Sequence, residues 1–148
     1  MLLPLQFDRF DMHRSRVLLV DDNPEFLEIA ATLLEGHDYD VVGRALDGDA
    51  GLKAALGLNP DVVVLDISMP NLNGFEVARR LRHHQHRAAV VLLTFHEDVE
   101  FVRAARAIGV RGYVIKRRMA SDLPAAVAEV LAGRTFVSPP LELDDEPQ

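Results

Sequence analysis

Five short, almost wholly apolar runs, separated by longer amphipathic stretches, narrow the folds open to this chain more than any other feature. The runs are RVLLVD (16–21), DVVGRA (40–45), DVVVLD (61–66), AAVVLLT (88–94) and GYVIK (112–116). A strand with one face in water alternates apolar and polar residues, whereas runs this apolar fit strands covered on both faces, as in a parallel sheet. Helices are predicted between them, at about 24–35, 48–57, 74–84, 97–108 and 121–132. In the first, Phe26, Leu27, Ile29, Ala30, Leu33 and Leu34 recur at helical spacing. Asn23 can cap that helix, and Pro24 suits its first position. Gly36, Gly57, Gly109 and Gly133 fall near predicted helix ends, where a left-handed stop is easiest for glycine. Five successive β-α units joined by right-handed crossovers give a doubly wound α/β fold. The expected sheet is flavodoxin-like, with five parallel strands in the order 2-1-3-4-5.

The 148 residues suit one domain, expected at 15–133, after an extension at 1–14 and before an acidic, proline-containing tail at 134–148 that is expected to be extended and mobile toward its end. A composition of 49% hydrophobic and 26% charged residues is that of a globular chain. The net charge of -7 argues against general nucleic-acid affinity, which needs a basic excess. With no cysteine there is no disulfide framework or thiolate metal site, in keeping with a cytoplasmic protein. No apolar run approaches the length of a membrane span, and the opening MLLPLQF lacks a basic leader.

In a doubly wound sheet, ligands bind outside the carboxyl ends of the strands, where the strand order reverses. The residues ending four of the predicted strands are Asp21 and Asp22, Asp66, Thr94 and Lys116. Each alone has an ordinary explanation, since aspartates cap helices and a strand-end lysine is usually solvated. Together they bring three carboxylates, a hydroxyl and an ammonium to one rim. Oxygen ligands of this kind suit a hard cation such as Mg2+. A carboxylate can itself act as a nucleophile and form an aspartyl phosphate. Lys116 would pair with a phosphoryl oxygen, and Thr94 would donate a hydrogen bond to another.

The segments LLVDDNP, VVVLDISMPNLNG, VVLLTF and GYVIK together resemble the CheY-like receiver domain of bacterial two-component response regulators, over about residues 15–133. The resemblance implies that Asp66 is the phosphoacceptor and Asp22 a direct Mg2+ ligand, with Asp21 supporting the metal and the Ser68 backbone carbonyl a further ligand. It implies that Thr94 and Lys116 contact the phosphate, and that Tyr113 is an aromatic switch residue coupled to Thr94. The implied donor is a sensor histidine kinase or a histidine phosphotransfer protein. The implied output is a downstream effector, or a second copy of the chain, docking on the fourth helix, fifth strand and fifth helix. Arg117 stands where many receivers carry proline. Ser68 and His96 hold the positions that help set acyl-phosphate lifetime in this family.

AAVAEVLAGRTFVSP (125–139) is similar to the end of NarL/FixJ-type receivers, which usually continue into a DNA-binding domain. The chain stops at Gln148, so it is expected to be either a stand-alone receiver or the receiver part of a longer regulator. Two other readings compete. One is an aspartyl-phosphate phosphatase resembling the haloacid dehalogenases, but the acid expected two residues past the nucleophile is Ser68. The other is a phosphate-independent pseudo-receiver, which would have no need of the full acidic, threonine and lysine set. His83, His84 and His86 in RRLRHHQHR (79–87) lack a nearby carboxylate and are read as a solvated helix end. Arg103, Arg106, Arg111, Arg117 and Arg118 form a second basic concentration, read as a solvated face, with a docking surface for an acidic partner or a second copy as the alternative. Met69 and Phe75 are read as packing residues.

Overall fold

The computed structural model describes residues 14–139 and Leu141. Its strands are β1 (Arg16–Val20), β2 (Asp40–Ala45), β3 (Val62–Leu65), β4 (Ala89–Thr94), β5 (Gly112–Ile115) and β6 (Phe136–Val137). Its helices are α1 (Pro24–Glu35), α2 (Gly48–Leu58), α3 (Gly74–His83), α4 (Val99–Ala107) and α5 (Met119–Leu131), with a 3-10 turn over Lys116–Arg118. The strands form one sheet in the order β2-β1-β3-β4-β5-β6, and every neighbouring pair is parallel.

Alternate residues of each strand point to opposite faces, so the absence of polar positions demands two apolar layers. Leu18, Val20, Val63, Leu65 and Leu92 pack with α3 and α4 through Val77, Leu81 and Val102. Val17, Leu19, Val62, Val64 and Val91 pack with α1 and α5 through Leu27, Leu34, Leu123 and Val127. Both layers are closed to water along the central strands, where β3 and β5 are buried at every position. Fully burying one such aliphatic side chain contributes roughly 1.5–3 kcal/mol.

The α/β parallel architecture matches the expectation, but the expected count of five strands is corrected to six. Gly112 aligns with Phe136 and Tyr113 with Val137 across β5 and β6. A two-residue strand has no periodicity to read, and this one lies in a stretch whose prolines pointed to a tail. Pro140 and residues 142–148 of that stretch, and residues 1–13 of the extension, lie outside the described residues.

The expected helix ends need two corrections. α1 closes at Gly36 in a right-handed conformation (φ -67°), and the left-handed residue after it is Asp38 (φ 67°). α2 runs through Gly57 and stops at Asn59 (φ 50°). Asp and Asn tolerate this region because their short side chains can hydrogen-bond locally. Gly109 and Gly133 are left-handed as expected. α5 begins two residues earlier than expected because the 3-10 turn runs straight into it. Asn23 caps α1, accepting from the Glu25 N–H, with Pro24 in the first turn. Asn73 and Glu76 form a capping box that starts α3.

Gly74 brings that helix start against the end of β3. Its N–H donates to the Ile67 carbonyl at 2.9 Å. A Cβ at this position would lie 2.4 Å from the Asp66 carbonyl oxygen and 2.9 Å from Ile67 Cα, both backbone atoms. Gly74→Ala is expected to cost about 2 kcal/mol or more, as overpacking against rigid backbone does. Urea unfolding measures this, and a loss below about 0.5 kcal/mol would show that the β3–α3 loop yields freely.

Candidate phosphoryl and metal site

Backbone hydrogen bonds carry the rim residues out of the sheet in register. The Asp66 N–H donates to the Val20 carbonyl at 2.9 Å, and the Asp21 N–H to the Ala45 carbonyl at 3.0 Å. Asp21 and Asp22 thus follow β1, Asp66 follows β3, Thr94 closes β4 and Lys116 follows β5. Asp21, Asp66, Thr94 and Lys116 are all buried, whereas Asp22 is exposed. Asp22, Asp66, Ser68, Thr94 and Lys116 line one open cleft of about 220 Å³, together with Asn23, Phe26, Phe95 and His96.

The structure brings the acidic and basic groups into contact. Lys116 Nζ lies 2.7 Å from Asp21 Oδ2 and 3.5 Å from Asp66 Oδ2. Oxygens of Asp21, Asp22 and Asp66 lie within 4.8 Å of one another, the only such cluster of acidic or imidazole ligands among the described residues. One ammonium faces three carboxylates. Burial, followed by the Asp21 charge, pushes the Asp66 carboxyl up to about 6, against the pull of Lys116 and a hydrogen bond from the Ser68 backbone. Asp21 Oδ2 is buried without a hydrogen bond of good geometry, so its contact with Lys116 compensates it by charge alone. An under-compensated set of hard oxygen donors fits a divalent cation such as Mg2+.

Thr94 and Tyr113 meet through His96. The Thr94 hydroxyl accepts from the His96 N–H at 3.2 Å, and the Tyr113 hydroxyl donates to the His96 carbonyl at 2.9 Å. Tyr113 is 2% exposed, so its side chain already lies inward in this structure. Burial, then the Asp98 charge, pushes its phenol up, which keeps it a neutral donor. Ser68 Oγ lies 2.9 Å from His96 Nε2 across the cleft mouth.

Two aromatic rings here escape a reading of strand ends. Lys116 Nζ sits 4.1 Å from the Phe26 ring centre and 5.0 Å from that of Phe95, and the two rings meet edge to face. Such contacts attract a cation to the ring face. Phe26 reads as one more apolar position of α1. The signal for Phe95 was its place directly after Thr94, where strand alternation turns it outward.

The remaining basic groups are placed apart from this site. His86 is turned to backbone, with Nε2 3.0 Å from the Ala55 carbonyl and Nδ1 accepting the Ala88 N–H at 3.1 Å. Arg117 is paired with Glu97, and Arg118 with Asp122. Arg103 contacts Glu100 at 3.8 Å, and Arg106 and Arg111 are exposed. Met69 is buried in the core, and Phe75 packs against it and meets Phe101 edge to face.

Comparison with known proteins identifies the family and the fold. The family model for the response regulator receiver domain matches residues 17–128. The chain is 32% identical over 124 residues to the transcriptional regulatory protein MctR of Rhizobium johnstonii, covering 83% of this chain and 58% of that protein. It is 32% identical over 123 residues to the nitrate/nitrite response regulator protein NarL of Escherichia coli, covering 82% of this chain and 57% of that one. A two-component response regulator of the LuxR family from Aurantimonas superposes with a TM-score of 0.83 at 32% identity, covering 86% of this chain and 92% of that chain. The signal receiver domain of a NarL from Mycobacterium tuberculosis gives a TM-score of 0.78 at 32% identity, covering 82% and 98%. The chain therefore spans less than two thirds of the full-length relatives.

The raised Asp66 value implies a pH-dependent cost to folding in metal-free protein. The folded value, about 6, lies above the ordinary 3.8, so the native state binds the extra proton between these limits. Stability falls as pH rises through that window, and above it the full cost, up to about 3 kcal/mol, is present. Asp66→Asn removes the ionisation, so it is expected to raise the thermal midpoint in chelator at about pH 7.5, with the gain gone by about pH 4. A gain equal at both pH values would mean that charge at Asp66 is not its origin.

Proposed function

The chain belongs to the response regulator receiver domain family, of the NarL/LuxR type, and from this we propose that Asp66 accepts a phosphoryl group and passes its state to the α4–β5 region. The carrying observation is a buried carboxylate at the end of β3, set between Asp21 and the Lys116 ammonium and open to the cleft. An Asp66 oxygen attacks phosphorus, and the bond to the donor, a phosphohistidine nitrogen in a sensor kinase or phosphotransfer protein, breaks with its electron pair leaving on that nitrogen. Lys116 balances charge on a phosphoryl oxygen, and the Thr94 hydroxyl donates to another. Asp22, Asp66 and the Ser68 carbonyl would hold Mg2+, with Asp21 in support, and the ion would offset repulsion between carboxylate and phosphoryl group. The chain is then a phosphoacceptor rather than an enzyme that turns over a small molecule.

The output follows from the Thr94–His96–Tyr113 contacts. Drawing the Thr94 hydroxyl toward a phosphoryl oxygen frees the His96 N–H and biases the loop on which the Tyr113 hydroxyl rests. The inward Tyr113 seen here is one of the two states such a switch requires. Moving between mostly one state and mostly the other needs about 5 kcal/mol of differential interaction. We place the effector or self-association surface on α4 and α5, since the outer edge of β5 is already paired with β6. The share of MctR and NarL that the chain covers supports a role as the input part of a longer regulator that binds DNA elsewhere. The receiver unit takes in 15–133 together with the segment through Leu141, and a cytoplasmic setting suits both donor and output. Among the described residues, no helix is long and apolar enough to cross a membrane.

Acetyl phosphate with Mg2+ is expected to add one phosphoryl group at Asp66, read by intact mass and lost in Asp66→Asn. Labelling that persists in the variant would move the acceptor elsewhere. In a metal titration, Asp22→Ala is expected to weaken Mg2+ binding at least tenfold, roughly the loss of one ligand. Joint replacement of His83, His84 and His86 should leave the affinity within about twofold, since imidazole is a poor match for Mg2+. The reverse order would relocate the metal.

A further inference from the structure

Outside the candidate site, the buried polar side chains among the described residues are Asp122 and Ser138, and Ser138 has no exposed surface. It lies just beyond β6, in the stretch whose composition pointed to a tail. Its hydroxyl accepts the Ile115 N–H at 3.0 Å and donates to Asp122 Oδ2 at 2.7 Å. Its own N–H donates to the Tyr113 carbonyl at 2.9 Å. Asp122, also buried, accepts from Arg118 Nε at 2.8 Å and from Ser121 Oγ at 2.9 Å.

These contacts close a ring around Lys116. Ile115, the residue before it, is held through its N–H by Ser138. Arg118, which ends the 3-10 turn that Lys116 opens, is held through its guanidinium by Asp122. Ser138 and Asp122 hold each other. The backbone that carries the ammonium is therefore clamped on both sides by one buried pair, and one half of that pair belongs to the segment after α5. Leu141, whose N–H donates to the Ser138 carbonyl, is buried in the same apolar cluster as Tyr113 and pins the segment from its far side.

We propose that Ser138 is a positioning residue for Lys116, and that β6 and the serine that follows it are thereby a working part of the phosphoryl site. The proposal rests on the phosphoacceptor reading for its consequence, but not for its geometry. Lys116 must reach Asp21 and Asp66 from a fixed Cα, and a displacement of about 1 Å at a reacting centre can cost orders of magnitude in rate. Removing the Ser138 hydroxyl strands the Ile115 N–H and takes one of four hydrogen bonds from Asp122, which frees the Ile115 end of the clamp and severs it from the Arg118–Asp122 pair. The coupling also runs in reverse: a shift of Lys116 toward a phosphoryl group would pull on Ile115 and Arg118, and so on the segment.

The test compares the full chain with Ser138→Ala, using Val137→Ala as a control that weakens β6 but keeps the hydroxyl. The nitrogen resonance of the Lys116 ammonium reads its position with no phosphodonor present. It is expected to shift in Ser138→Ala and to stay in place in Val137→Ala, even where their unfolding midpoints are equally lowered. Phosphorylation of Asp66 by acetyl phosphate should slow about tenfold in Ser138→Ala and less than twofold in the control. An unmoved Lys116 resonance in Ser138→Ala overturns the proposal, whatever happens at Asp66. So does equal slowing in the two variants. If the unaltered chain gains no phosphoryl group while the resonance moves as expected, the clamp stands and the phosphoacceptor reading falls.

Discussion

Three carboxylates against a single ammonium is the imbalance around which this molecule is organised. Lys116 reaches Asp21 and Asp66 at once, and among the described residues no other cation comes within ion-pairing distance of either. A cluster so composed is destabilising on its own, because carboxylates drawn together and out of water raise one another's cost of ionisation. It persists because the scaffold beneath it is rigid and buried on both faces, with a surplus of apolar burial that a few kcal/mol at the rim does not exhaust. The strain is left where an incoming cation and an incoming phosphoryl group would relieve it.

Lys116 itself is constrained from every direction. Carboxylates and two aromatic rings surround its ammonium, the backbone N–H of Ile115 before it is held by Ser138, and the guanidinium of Arg118 after it is held by Asp122. If Lys116 acts on a transferring phosphoryl group as proposed, such pre-organisation means that it need not be arranged at the moment of reaction. It also explains why the residue after Lys116 is free to be an arginine. Arg117 points out to Glu97 and takes no part in holding its neighbour.

What could be read in the sequence follows from how many residues specify each feature. The central strands are written in runs of four or more β-branched and aliphatic residues, so their existence and parallel arrangement were legible. The rim residues were legible for the same reason, since a charged or hydroxyl residue that ends such a run has one place to go. β6 was not, because its two residues owe their conformation to β5 and to Ser138 rather than to any pattern of their own. Helix ends misread at Gly36 and Gly57 show a similar limit: the left-handed position fell to Asp38 and Asn59, which composition ranks behind glycine. Phe95 and Ser138 were passed over because each acts through a partner distant in sequence, and distance in sequence is what periodicity cannot see.

β6 has a consequence for solubility as well as for signalling. β5 is a run of Gly-Tyr-Val-Ile, buried throughout, and its outer row of backbone donors and acceptors is met by a strand only two residues long. Unpaired edges of this composition are templates for another chain. The short strand works as a cover, too brief to propagate pairing outward. Whatever lifts the segment from its seat therefore does more than break a few hydrogen bonds. It exposes an adhesive strip, and copies of the chain so opened would find each other edge to edge, a hazard that grows with concentration.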